Sequence, residues 1–335
     1  MLLISLSGCS SVYYIYQASR GQLMLFNRAR PIDDVIADPR TDPDLSQLLK
    51  KIPEVKSYGE RFGLKATQNY RDYVKLDQDS VVYVVTVSEA LEFKPKIFSF
   101  PIVGSFNYIG WFSLEDANHF ASTFEKNGYD VDVRGASAYS TLGWFRDPLL
   151  STMIVREKDK VSPEAYPELV NVFLHESVHA TVYISNQSYF NESLAVFVSE
   201  KLTEQFFKDN HLEDSEGYKA YREDQARFEK MRVRFSQLYQ ELKAIYQSNQ
   251  SSSEKLAKKA EKIGALQSEF HFKRKITNAT LIQYETYHSS SDDFEKLYER
   301  KGRDMRAFME ALKTLTEKSF DHRQEENLKP VMEKL

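Results

Sequence analysis

The order of hydrophobic and polar positions predicts both helices and strands in the first part of the chain. Residues 12–30 are mostly apolar and compatible with a helix that stops at Pro31, because proline cannot continue it. A second helix is predicted from Asp44 to Lys51, with its acidic end first. The β-branched run from Val81 to Val87 then predicts a buried strand.

The next segments continue this mixed pattern. Residues 97–112 predict two strands that meet near Gly104, and Pro101 places the first of them at an edge or a bulge. The segment from Ser113 to Asn127 predicts an amphipathic helix with Ser113 as its N-cap. A short strand is predicted from Asp130 to Arg134.

After Pro167 the pattern becomes almost wholly helical. Residues 214–248 predict one charged helix, and a polar turn separates it from a second that ends near Lys273. Because lysine and glutamate are mixed along both, we interpret the pair as a solvated antiparallel hairpin. Strands first and helices second are typical of an α+β protein, with a small mixed sheet in the N-terminal half and a mostly helical C-terminal half.

Charge argues against a nucleic-acid partner, and hydropathy argues against a membrane-spanning helix. The 335 residues carry 45 basic and 49 acidic side chains, a net charge of −4, which disagrees with a protein that mainly binds nucleic-acid phosphates. No later stretch reaches the roughly 18 consecutive apolar residues needed to cross a bilayer. We therefore expect no nucleic-acid partner and no transmembrane helix.

The single cysteine, Cys9, excludes an intramolecular disulfide and a Cys-rich zinc site. With Leu6, Ser7 and Gly8 it resembles the bacterial lipobox, in which a peptidase cleaves before a cysteine that carries lipid. Ser10 after it is typical of sorting to the outer membrane. Only eight residues precede Cys9, without a basic region, and the alternative interpretation is a buried free thiol. We expect lipidation at Cys9, membrane attachment through that lipid, and a location in the bacterial cell envelope, facing the periplasm.

Residues His175-Glu176-Ser177-Val178-His179 form an H-E-x-x-H motif, which this composition would produce roughly 0.02 times by chance. The flanking apolar spacing predicts a helix, on which positions four apart share a face. His175 and His179 can therefore bind one Zn²⁺. Glu176 would face the open coordination position, where a carboxylate can act as general base toward an attacking water.

A third ligand is required, and Glu192 is the main candidate. It lies thirteen residues after His179, and one more helical turn plus a return loop would bring it back antiparallel to the first helix. Glu200 is the competitor, eight residues further on and on the same helical face. The context N-E-x-x-A favours Glu192. Four other histidines are interpreted as non-ligands: His119, His211, His271 and His322.

The motif, followed by Asn191-Glu192-Ser193-Leu194-Ala195, resembles the glutamate-zincin class, and the whole chain resembles the bacterial family of putative aminopeptidases, many of them predicted lipoproteins. Three further segments also resemble that family: 30–38, 100–104 and 139–145. The resemblance covers about residues 9–315. It implies a zincin-like fold and a zinc metallopeptidase with aminopeptidase activity.

Two departures accompany the resemblance. The G-x-M-E-N stretch, which holds the substrate amine in aminopeptidase-N-type enzymes, does not occur in this sequence. Val196 stands where thermolysin-type enzymes have an aspartate that orients a histidine, so another group must orient the histidines here.

In zincins of this type a strand pairs with the substrate backbone, and the candidates are residues 100–112 and 130–134. Tyr287 is the predicted oxyanion stabiliser, with core packing as the alternative.

The sequence therefore predicts a zinc-dependent peptidase that hydrolyses peptide substrates through zinc-activated water, with Glu176 as general base. Two alternatives stay open, namely a catalytically inert zinc-fold scaffold or binding lipoprotein and an amidase acting on cell-wall fragments. We expect a signal remnant over residues 1–9 and one metallopeptidase domain over 10–335. Its predicted parts are a mixed α/β part, the active-site helices, a helical hairpin and the C-terminal helices: 10–160, 161–212, 213–275 and 276–335.

Overall fold

Short strands fill the first half of the chain and long helices the second. The computed structural model describes residues 7–100, 104–141, 146–158, 160–288 and 290–335. The helices are α1 (Ser7–Arg28), α2 (Ile32–Ala37), α3 (Pro43–Leu49), α4 (Ile52–Arg61), α5 (Leu114–Glu125), α6 (Ala165–Thr181), α7 (Ser188–Asp209), α8 (Glu216–Gln247), α9 (Ser252–Glu269), α10 (Asn278–His288), α11 (Ser291–Arg300), α12 (Met305–Leu312) and α13 (Lys329–Glu333). The strands are β1 (Arg30–Pro31), β2 (Asp72–Val74), β3 (Val82–Ser88), β4 (Phe98–Phe100), β5 (Gly104–Phe106), β6 (Ile109–Trp111), β7 (Asp130–Ala136), β8 (Leu149–Leu150), β9 (Arg156–Glu157) and β10 (Lys160–Val161).

Strand β3 lies at the centre of an antiparallel sheet, between β6 and β7. Its two faces are both covered, which explains its nearly continuous apolar sequence. Val85 and Val87 pack with the apolar side chains of α5. On the opposite face, the Thr86 hydroxyl donates a hydrogen bond to Gln283 Oε1 on α10, at 2.7 Å. The central sheet is thus connected directly to the helical half.

Residues 97–112 contain three short strands, so the prediction of two is wrong. Within the described part of the chain, strands β4 and β5 form a separate two-stranded sheet, whereas β6 joins the central sheet through pairs such as Val85 with Ile109. The extra strand arises because the chain turns again at Asn107 and Tyr108, which alternating hydrophobicity does not reveal. Pro101 lies outside the described residues, as do residues 1–6 of the predicted signal remnant and parts of the segments 100–104 and 139–145.

Helices α6 and α7 form a hairpin at the centre of the main hydrophobic core. Leu174 on α6 and Leu194 on α7 are fully buried. Helix α6 ends at Thr181, so the additional turn predicted after His179 is nearly absent, and residues 182–187 form the connection. The Asn191 side chain fixes this connection: its Oδ1 accepts from Ile184 N at 2.9 Å, and its Nδ2 donates to Ile184 O at 2.8 Å.

The α8–α9 hairpin exists, but it is not simply a solvated pair of helices. It has a small core of its own, in which Leu242 of α8 and Leu266 of α9 are buried together with Ile282 of α10. The charged residues cover the outer faces, and the apolar residues between them form this core. The hairpin therefore packs on α10, which also contacts β3 and β7 of the central sheet.

The architecture is α+β, as predicted. Among the residues that the structure describes, no helix is both long and apolar enough to span a bilayer. The division of the chain into a signal remnant and one domain stays a prediction.

Candidate metal centre

The two histidines of the H-E-x-x-H motif lie one turn apart on the same face of α6. Leu169, Phe173 and Leu174 anchor the helix in the core. This leaves His175 and His179 on the side that faces α7, with their Nε2 atoms 3.2 Å apart and their rings nearly perpendicular. The motif therefore presents two nitrogen donors that converge on one point.

Glu192, in the second turn of α7, supplies an oxygen donor to the same point. Its Oε2 lies 3.6 Å from His175 Nε2 and 3.5 Å from His179 Nε2. Among the described residues, this is the group of histidine and carboxylate side chains placed to hold a metal ion. Glu192 and not Glu200 completes the cluster.

The spacing of the three donors fits a small tetrahedral cation. Ligand bonds of about 2.0–2.1 Å at tetrahedral angles place ligand atoms about 3.4 Å apart. The observed separations of 3.2, 3.5 and 3.6 Å bracket this value. Two imidazoles and one carboxylate leave one position of such an ion open.

The electrostatics of the cluster are those of a site prepared for positive charge. Burial raises the pKa of the Glu192 carboxyl, but His179 and His175 outweigh burial and hold this pKa well below its ordinary value. Burial lowers the pKa of His179, but the Glu192 charge outweighs it, and the pKa of His179 is raised. The carboxylate is thus ionised and needs a compensating cation, which a bound metal or a protonated histidine supplies.

Tyr108, in the turn between β5 and β6, orients the third ligand. Its hydroxyl donates a 2.8 Å hydrogen bond to Glu192 Oε1, which leaves Oε2 directed at the histidines. Burial and the Glu192 charge hold the pKa of Tyr108 well above its ordinary value, so the phenol remains a donor. Sequence reasoning missed this residue, because a lone tyrosine among other aromatic residues carries no signal.

Glu176 lies next to the cluster with a free carboxylate oxygen. The residue is 9% exposed, and its Oε2 has no hydrogen-bond partner within the described part of the chain. Its charge reaches the neighbouring Asp147, whose pKa is raised to about 6, first by burial and further by Glu176. A buried acceptor without a partner is costly unless a ligand or water occupies it, so this oxygen is available to a bound molecule.

Tyr287, on α10, also lies at the cluster. Its ring is stacked on the His175 ring, with centroids 6.4 Å apart. Arg134 of β7 donates a 3.2 Å hydrogen bond from Nη2 to the Tyr287 hydroxyl. Because the Tyr287 hydroxyl oxygen accepts this bond from Arg134, the hydroxyl proton points in another direction and can be donated to another group. Arg134 was not predicted, although a charged residue inside a strand with apolar neighbours is a usable signal.

Glu200 lies apart from the metal donors, in a cavity of about 560 Å³ that also contacts Tyr287 and Arg232. Burial is the main cause that raises the pKa of Glu200. The expected orienting partner of the two histidines is missing at His179: its Nδ1 is buried and has no partner among the residues described. The four histidines interpreted as non-ligands lie outside the metal group that the described residues form.

We predict that Tyr108→Phe lowers the affinity for zinc about tenfold, because the carboxylate of Glu192 loses the hydrogen bond that orients it. Competition titration against a chelator measures this. Tyr246→Phe is the matched control. It removes another buried hydrogen bond, which the Tyr246 hydroxyl donates to Asn278 Oδ1 at 2.8 Å, at the end of α10 away from Tyr287. Equal zinc affinity in the two variants would contradict the orienting role.

Comparison with known proteins gives one match. No curated protein and no solved structure matches the chain. A family model described as "Putative aminopeptidase" matches residues 13–327, which include the histidine pair, Glu192, Tyr108 and Tyr287. Because this match spans nearly the entire sequence, the chain belongs to the putative aminopeptidase family.

Proposed function

We propose that this protein is a zinc-dependent peptidase that hydrolyses peptide bonds with Glu176 as general base. The observation that carries the proposal is the convergence of His175 Nε2, His179 Nε2 and Glu192 Oε2 at tetrahedral spacing. Beside them lies the Glu176 Oε2 atom, which has no hydrogen-bond partner among the described residues. A purely structural zinc site would use a fourth protein ligand instead of an open position. Membership of the putative aminopeptidase family supports the same reaction class.

The chemistry divides between the metal and the protein. When bound, Zn²⁺ would polarise the substrate carbonyl and acidify a water molecule. Glu176 follows His175 directly on α6, so its carboxylate reaches the open side of the cluster without being a ligand. There its Oε2 can accept the proton of the attacking water and later pass it to the leaving amine.

Tyr287 and Arg134 would stabilise the oxyanion that develops on the carbonyl oxygen. Burial is the main cause that raises the pKa of Tyr287 above its ordinary value, and the charge of Glu192 raises it further. The phenol therefore keeps its proton. Arg134 Nη2 donates a hydrogen bond to the Tyr287 hydroxyl at 3.2 Å, which fixes the phenol and places a positive charge beside it. A donor positioned before the reaction stabilises developing charge more than mobile water does.

We predict that Glu176→Gln retains zinc and lowers peptide hydrolysis by roughly 10²–10⁴-fold, since glutamine cannot accept the proton. Elemental analysis and turnover of a library of short peptides measure the two quantities. Glu168→Gln, in the first turn of the same helix, is the matched control and should leave both unchanged. Full activity in Glu176→Gln would rule out this residue as the base and favour an inert role for the motif.

For the oxyanion, we predict that Tyr287→Phe lowers kcat about 10²-fold and changes KM little, because the lost bond acts mainly in the transition state. Steady-state kinetics on one cleaved peptide give both constants. Tyr58→Phe, which removes a 2.7 Å hydroxyl bond to Asp209, is the control. An unchanged kcat in Tyr287→Phe would mean that this tyrosine only packs the helix.

We propose further that lipid on Cys9 attaches the protein to the outer membrane on its periplasmic side. The support is the lipobox-like stretch that ends at this cysteine. Expressed behind a complete signal peptide, the parent chain should begin at Cys9 and carry the mass of the bound lipid there, whereas Cys9→Ala should carry no lipid and keep its signal peptide. Identical masses after correction for the substitution would remove the proposal.

A further inference from the structure

Helix α1 presents several large apolar side chains to solvent. In the part of the chain that the structure describes, five of the eleven large apolar side chains that are exposed belong to this helix: Tyr13, Ile15, Tyr16, Leu23 and Phe26. Their exposed fractions range from 38% to 61%. The other six are spread over the rest of the molecule. Such a concentration marks a surface that another phase or molecule covers.

The exposed face is opposite to the face that packs on the protein. Gln17, Gly21 and Leu25 are buried and recur every four residues, so they mark the inner face. Gly21 lies so close to the Phe112 ring that a Cβ there would come within 2.3 Å of it. Ile15 and Leu23 each stand two residues before a member of this inner row, which is about 200° around the helix. Helix α1 is therefore apolar on both faces, and the residues that the structure describes cover only the inner one.

Charge identifies the partner. The first acidic residue of the chain is Asp33, so α1 contains two arginines and no carboxylate. Arg28 pairs with Asp77, but Arg20 is exposed and has no ion pair among the described residues. Tyr16 beside the apolar residues Ile15 and Leu23, together with an arginine that has no ion pair among the described residues, matches the boundary between acyl chains and phosphate headgroups.

We propose that α1 lies flat on the surface of a lipid bilayer, with Ile15 and Leu23 at the acyl boundary and Arg20 among anionic headgroups. The helix is not apolar enough to span a bilayer, which agrees with a surface position. Cys9 belongs to α1, so a lipid on that cysteine would hold the helix at the same surface. The helix face would add a second contact with the bilayer beside that lipid. The proposal does not depend on the peptidase activity.

The test is vesicle flotation of the full chain carrying Cys9→Ala, so that lipid on the cysteine contributes nothing. The protein should bind vesicles of phosphatidylcholine with phosphatidylglycerol more strongly than vesicles of phosphatidylcholine alone. Ile15→Glu combined with Leu23→Glu should lower the partition coefficient at least about tenfold. Leu256→Glu, at a 47% exposed leucine on α9, is the matched control and should bind as the parent does. Arg20→Gln should reduce the preference for phosphatidylglycerol.

Two results would overturn the proposal. One is equal vesicle binding by the parent and the double variant, including the absence of binding by both. The other is a parent that light scattering shows to be dimeric and a double variant that is monomeric with unchanged vesicle binding, because a second copy would then cover the face. Tyr16→Ser removes an exposed ring without adding charge, and it should weaken binding even if the double variant fails to fold.

Discussion

A buried carboxylate beside two imidazoles is the constraint that the rest of the structure serves. Glu192 is 7% exposed and ionised, and an isolated charge at such a position would be strongly destabilising. The short connection between α6 and α7, closed by the Asn191 side chain, brings this carboxylate to the histidine pair. Two nitrogen donors and Tyr108 then surround it. This arrangement is favourable when a cation occupies the point on which the donors converge.

The other functional groups reach the same point from separate parts of the chain. Tyr108 comes from the turn before β6, Arg134 from β7, and Tyr287 from α10. They meet because α10 packs against the central sheet on one side and α7 on the other, with the contact between Thr86 and Gln283 fixing the first of these interfaces. The site therefore lies where the strand-rich and helical halves join. Both segments considered for substrate pairing, 100–112 and 130–134, contribute a residue to it.

The part of the site that local spacing controls was predictable. The i, i+4 histidines and the intervening glutamate need only a helix, and Glu192 needs only the next helix to run back. Tyr108 and Arg134 could not be found in this way, because their positions depend on the pairing of β3 with β6 and β7. The same reason explains the error over residues 97–112: strand boundaries there follow from long-range pairing, whereas hydrophobic alternation reports only local order.

We propose that His175, His179 and Glu192 hold zinc. Elemental analysis of the purified parent, Glu192→Ala and Glu200→Ala tests it most directly, because the two glutamates lie on the same helix and only one reaches the histidines. We expect near-stoichiometric zinc in the parent and in Glu200→Ala, and its loss in Glu192→Ala. A parent that takes up no metal when zinc is supplied at neutral pH, or a Glu192→Ala variant that keeps it, would contradict the account.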